Sequence, residues 1–157
     1  MLTGDIETVK AAIAADLASS GFTDVLAAVN AEKNDGYTTP GPAAVYDYER
    51  AALEAYPAVE LQGLTTTYEV DDDVKAATHQ IAIVWTQVGD NEQTVTKDVE
   101  RLVRATRDRL WRSVLGGQVG LAPMLVMSED YSALAPSAQG QPFMKGGRLI
   151  VAATTLT

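Results

Sequence analysis

Cysteine is absent from this 157-residue chain, and histidine occurs once, at position 79. Without thiols there are no disulfides, no thiolate metal sites and no cysteine nucleophile, and a reducing compartment is the natural setting. One imidazole alone cannot assemble a zinc site, so neither a metal nor a cofactor is expected. Long apolar runs are missing as well: no stretch approaches the ~18–20 residues that span a bilayer. Met1 to Lys10 has neither the basic nor the apolar region of a signal peptide. The expectation is a soluble protein made in the cytoplasm, without a membrane partner.

Bases are scarce. Twelve Lys and Arg face 21 Asp and Glu, a net charge of −9, so free nucleic acid would be repelled by most of the surface. The imbalance is uneven. Residues 1–73 hold 14 acids and 3 bases, whereas residues 101–112 hold five Arg and one Asp. A basic strip on an acidic body suits an acidic protein face better than nucleic acid.

Catalytic constellations are also hard to find. His79 shares a strand face with Ile81, Ile83 and Trp85, and no GxSxG elbow accompanies it. Asp71-Asp72-Asp73 lacks the spaced ligands and turn glycine of a calcium loop, so a solvated turn is the better account. Gly116-Gly117-Gln-Val-Gly120 is not followed by Lys-Ser/Thr and is no phosphate loop. No enzyme activity is expected.

The pattern is α+β: a mainly antiparallel sheet packed against an N-terminal helix and one long helix, in a single domain over residues 1–157. Ile6, Val9, Ile13 and Leu17 recur at helical spacing over Asp5–Ser19. Phe22 to Val29 reads as a second short helix. Asn30 to Pro42 is a long polar loop with few apolar anchors, expected to be mobile in the free subunit. Val59–Leu61 and Thr65–Val70 read as two short strands and Thr78–Val88 as the clearest strand. The long helix is expected over Glu92–Leu115, with Val95, Val99, Leu102, Val103, Thr106, Leu110 and Val114 on one arc. Gly116-Gly117 would stop it. Strands are expected at Leu121–Met127 and Arg148–Leu156, and hairpin-length gaps imply antiparallel pairing.

On the helical projection Arg101, Arg104 and Arg112 lie opposite the apolar arc, and Trp111 stands at its edge. Guanidinium suits bidentate carboxylate contacts, and an aromatic beside Arg is the composition of an interface anchor. These four residues are the candidate subunit interface. The competing reading is pairing within the chain, for example of Arg104 with Glu100 or Asp108.

Several segments, in their order, resemble the tail terminator (tail completion) and related neck proteins of long-tailed bacteriophages. They are Tyr56-Pro-Ala-Val59, His79-Gln-Ile-Ala-Ile-Val84, the Arg-rich stretch Val99 to Leu110, Asp130-Tyr-Ser-Ala-Leu134 and Phe143 to Val151. The resemblance lies in order and spacing and covers most of the chain. It implies a non-enzymatic virion protein that forms a ring of subunits, commonly six, at the head-proximal end of the tail. Such a ring ends tail-tube assembly and joins the tail to the head connector. The implied partners are other copies of the chain, the tail-tube protein and the neck proteins, with DNA passing through the lumen. The other classes weighed are a different head–tail joining protein and, less favoured, a small bacterial enzyme or ligand-binding domain.

Overall fold

In the computed structural model, the structure describes residues 4–71, 74–111, 113, 124–136 and 143–156. Two helices open the chain, α1 (Ile6–Leu17) and α2 (Ser20–Lys33). Asp5 caps α1 by accepting from the Thr8 amide and hydroxyl, each at 3.0 Å. Asn34, in the left-handed region at φ 46°, ends α2. Then come β1 (Ala44–Tyr46), β2 (Ala58–Asp71), β3 (Val74–Gly89), α3 (Glu92–Leu110), β4 (Leu125–Tyr131) and β5 (Phe143–Leu156). Asn91 caps α3, its Oδ1 accepting from the amides of Gln93 and Thr94.

The expected α+β class is what the structure shows. One five-stranded sheet runs β1-β2-β3-β5-β4, antiparallel except for the β1–β2 pair. The sheet is thus mainly antiparallel, as expected, and the β1–β2 pair is parallel because the irregular stretch 47–57 is long enough to return the chain without a helix.

Alternation on β3 puts His79, Ile81, Ile83 and Trp85 on one face, facing Val59, Leu61, Leu149 and Val151 of the flanking strands. All three helices cover this face. Val9, Ile13 and Leu17 from α1, Phe22 and Leu26 from α2, and Val99, Leu102, Val103 and Leu110 from α3 complete the core. Trp85 stacks on Phe22 with ring centroids 5.7 Å apart, and its Nε1 donates to Thr106 Oγ1 at 2.8 Å. The buried polar end of the indole is thereby satisfied. α3 lies so close to β5 that a Cβ on Gly147 would meet Val103 Cγ2 at 2.6 Å.

Three expectations change. The two short strands at 59–61 and 65–70 are one strand, β2, with a bulge between Gly63 and Thr65. Leu64 is its extra residue. The long helix ends at Leu110, because Trp111 (φ −57°, ψ 118°) leaves helical geometry. Val114, Leu115, Gly116 and Gly117 lie outside the described residues. β4 begins at Leu125 instead of Leu121, and residues 121–123 are likewise outside.

Past Gly63 the β2–β3 hairpin outruns the helices. Ile6 sits against Gly63, where a Cβ would come within 2.8 Å of its Cδ1. Beyond that contact Tyr68 and Val70 are 66% and 70% exposed. Asp71 pairs with Val74 at the hairpin's end, and Asp72 and Asp73 lie outside the described residues.

Candidate subunit interface

The polar flank of α3 is covered, and this corrects the expectation for Arg101. α2 and the loop that follows it pack over the side of α3 turned from the sheet, leaving Arg101 only 4% exposed. Its Nη1 donates to the Tyr37 carbonyl at 2.7 Å and to Asn30 Oδ1 at 3.1 Å, and its Nη2 pairs with Asp35. The helical projection places Arg101 opposite the sheet, which is right. It carries no information about a second layer on that side.

The same network pins residues 34–39, so the polar loop is packed and not the unanchored segment expected. Asn30 and Thr39 exchange two hydrogen bonds, Nδ2 to the Thr39 carbonyl at 3.1 Å and the Thr39 amide to Oδ1 at 3.0 Å. The Tyr37 hydroxyl donates to buried Asp98 at 2.8 Å, and Gln87 Nε2 donates to the other Asp98 oxygen at 2.9 Å. Burial, then the neighbouring Asp98 carboxylate, pushes the Tyr37 phenol up to about 12. Lys97 Nζ donates to Asp35 at 2.8 Å, and chiefly this bond holds the Asp35 carboxyl well below the usual carboxylate range.

Asp35, Tyr37, Asp98 and Gln87 were not singled out from sequence. One signal was present: Gln87 continues the core-facing alternation 79, 81, 83, 85, so an amide there needed a buried partner.

The rest of the strip is paired too. Arg104 contacts Glu32 and lies 3.5 Å from Asp108, Arg107 reaches Glu129 at 3.1 Å, and Arg109 holds Asp16 at 2.9 Å. Each described arginine from 101 to 109 thus has a carboxylate in its own chain. The expected alternative of an Arg104–Asp108 pair is present, beside a Glu32 contact that helical spacing does not foretell. Trp111 is 51% exposed and, with Val126, Arg107 and Asp108, lines a cleft of about 580 Å3. Arg112 lies outside the described residues. Of the three candidates among the described residues, Trp111 is the one left largely open, Arg104 is half-buried, and Arg101 is used inside the chain.

His79 is buried between two threonines. Thr155 Oγ1 donates to the Gly4 carbonyl at 3.1 Å, which leaves it to accept from His79 Nε2–H at 3.0 Å. Nδ1 then accepts from Thr66 Oγ1 at 2.9 Å. Desolvation lowers the imidazole pKa, so the neutral ring is favoured. The residue ties β2, β3 and β5 to the N-terminal segment, and neither nitrogen is free to act on a substrate.

No family model matches the chain, and neither does any curated protein. Among solved structures, a chain from the virion of a native gene transfer agent particle has the same fold, with a TM-score of 0.58. The two are 17% identical, and the alignment covers 94% of each chain.

Proposed function

We propose that this chain is a structural subunit of a phage-like virion and, more narrowly, that it forms the ring at the head-proximal end of the tail. There it would end tail-tube assembly and meet the head connector. The observation that carries the reading is the shared fold with a virion chain over 94% of both lengths. The order of sequence segments from Tyr56 to Val151 points independently to the tail terminator and neck proteins. The buried, doubly bonded His79 supports a role without catalysis.

Mass measurement in solution, followed by mixing with tail tubes assembled without the protein, tests the proposal. A defined multimer that caps tubes and makes them competent to join heads is the expected result. A monomer at every concentration that leaves tube ends unchanged overturns it. Binding to heads but not to tubes would assign the chain to another neck position.

A further inference from the structure

The helices cover one face of the sheet, and residues 50–56 cross part of the other. Glu60 on β2, Thr86 on β3 and Met144 on β5 alternate away from Val59, Trp85 and Leu149, so all three belong to that second face. Between them and the crossing segment lies a cleft of about 380 Å3. Glu60 is the one buried side chain along it, at 9% exposure.

A carboxylate this deep calls for hydrogen bonds and an opposite charge. Glu60 has only the first. Its Oε2 accepts from the Arg50 amide at 2.8 Å. Among the described residues, no Lys, Arg or His nitrogen comes within 4.0 Å of the carboxylate. Two bases stand around the cleft, and both are engaged elsewhere. The Arg50 guanidinium lies over the Tyr46 ring at 4.6 Å and 3.7 Å from Glu54, and Lys145 Nζ donates to the Ser132 carbonyl at 2.6 Å. The adjoining chain adds no compensation, since residues 43–60 hold four acids and one base. The cleft is short of a positive charge.

We propose that it takes an alkylammonium group, with the ammonium on Glu60 and the carbon chain against Leu53, Ala52 and Met144. The walls select that chemistry. Leu53, Ala51, Ala52 and Met144 offer apolar surface of the kind that lies along a lysine stem. Thr86 brings a hydroxyl that can accept a second of the three ammonium protons. A divalent ion takes several oxygen ligands, and no group of three or more His, Asp or Glu side chains able to hold one occurs among the described residues. A lysine side chain of a partner protein and a free diamine both carry the required group.

The probe is n-butylammonium chloride, which copies the end of a lysine, with n-butanol as the uncharged control. Amide NMR on the wild type is expected to show saturable shifts at Arg50, Thr86 and Gly146 with the amine and none with the alcohol. Glu60→Gln keeps an oxygen for the Arg50 amide, yet should need roughly tenfold more amine for half-saturation. Ala52→Phe changes an exposed position on the cleft's rim and should weaken binding by filling the mouth, a check that does not depend on Glu60→Gln folding. No saturation with the wild type, or equal shifts in wild type and Glu60→Gln, overturns the proposal.

Assembly then separates the two sources. Glu60→Gln that loses the amine and also fails to join tail tubes as the wild type does identifies a partner's lysine. Loss of the amine with normal assembly identifies a free diamine. The titration needs no ring, so a wild type that stays monomeric would remove the ring reading and leave this site standing.

Discussion

His79 shows how one buried side chain sets a pH dependence. Its folded-state pKa lies below the ordinary 6.5, first because burial penalises the imidazolium, against smaller opposing effects of the Gly4 carbonyl and Asp5. The unfolded chain therefore takes up the proton first. Stability is level above about pH 6.5 and falls as pH drops from there toward the folded value. The melting temperature of the wild type is expected to decline between pH 7 and 5.5. A His79→Gln variant, less stable at pH 7, should run flat over that range, since it keeps an amide for the two threonines and has no proton to bind. A parallel decline in both proteins would place the titrating group elsewhere.

At the scale of elements, the joint between α2, residues 34–39 and α3 is where sequence and structure part most. The apolar arc of α3 was legible because a helix facing a sheet repeats its buried positions every 3.6 residues. The covered polar flank was not, because Arg101 and Asp98 are buried by partners 60 or more residues away and no local period encodes that. Strand pairing followed the same rule. Alternation on β3 named its core face, whereas the neighbouring of β3 and β5 depends on contacts across α3 and β4.

The joint itself is testable. Arg101→Ala would leave Asp35, the Tyr37 carbonyl and Asn30 short of a donor. Losing one partner of a fully buried pair costs ~3–5 kcal/mol, and with Asp35 28% exposed we expect about 2. Limited proteolysis should then cut between Asn34 and Pro42 in the variant and spare the wild type. Equal protection in both would mean that Tyr37 and Asn30 hold the loop unaided.

For the whole molecule, the net charge of −9 and the exposed apolar side chains of β2 (Leu64, Tyr68, Val70) and β4 (Leu125, Met127, Tyr131) act on different quantities. Charge complementarity governs how fast copies meet and orient, and salt screens it beyond ~8–10 Å. Apolar contact governs how far association goes, and salt does not weaken it. With Arg101, Arg104, Arg107 and Arg109 already paired internally, the strip adds little unsatisfied charge to the surface. Copies of net charge −9 then repel one another, so raising salt from low to physiological strength is expected to hasten assembly without lowering its final extent, followed by light scattering over time. Dissociation of finished assemblies by salt would return the arginines to the interface. The sequence showed the sheet and the helices laid over it. It did not show that the exposed apolar residues sort onto opposite margins, which only the strand order reveals.

The bulge at Leu64 makes the β2–β3 hairpin a strand with two parities. Up to Gly63 the odd-numbered residues look toward the helices; after Leu64 the even-numbered ones do, so Thr66 reaches His79 and Tyr68 and Val70 fall on that side. One residue thus separates the coding of the core from the coding of the overhang. Deleting Leu64 would join Gly63 to Thr65 in unbroken alternation and leave Tyr68 and Val70 on their present side, whereas pairing Leu64 into the ladder would turn both to the opposite side while Val59 and Leu61 stayed where they are. The bulge, kept or lost at this single position, decides which way the hairpin's outermost surface is aimed, with Val59 and Leu61 left in place.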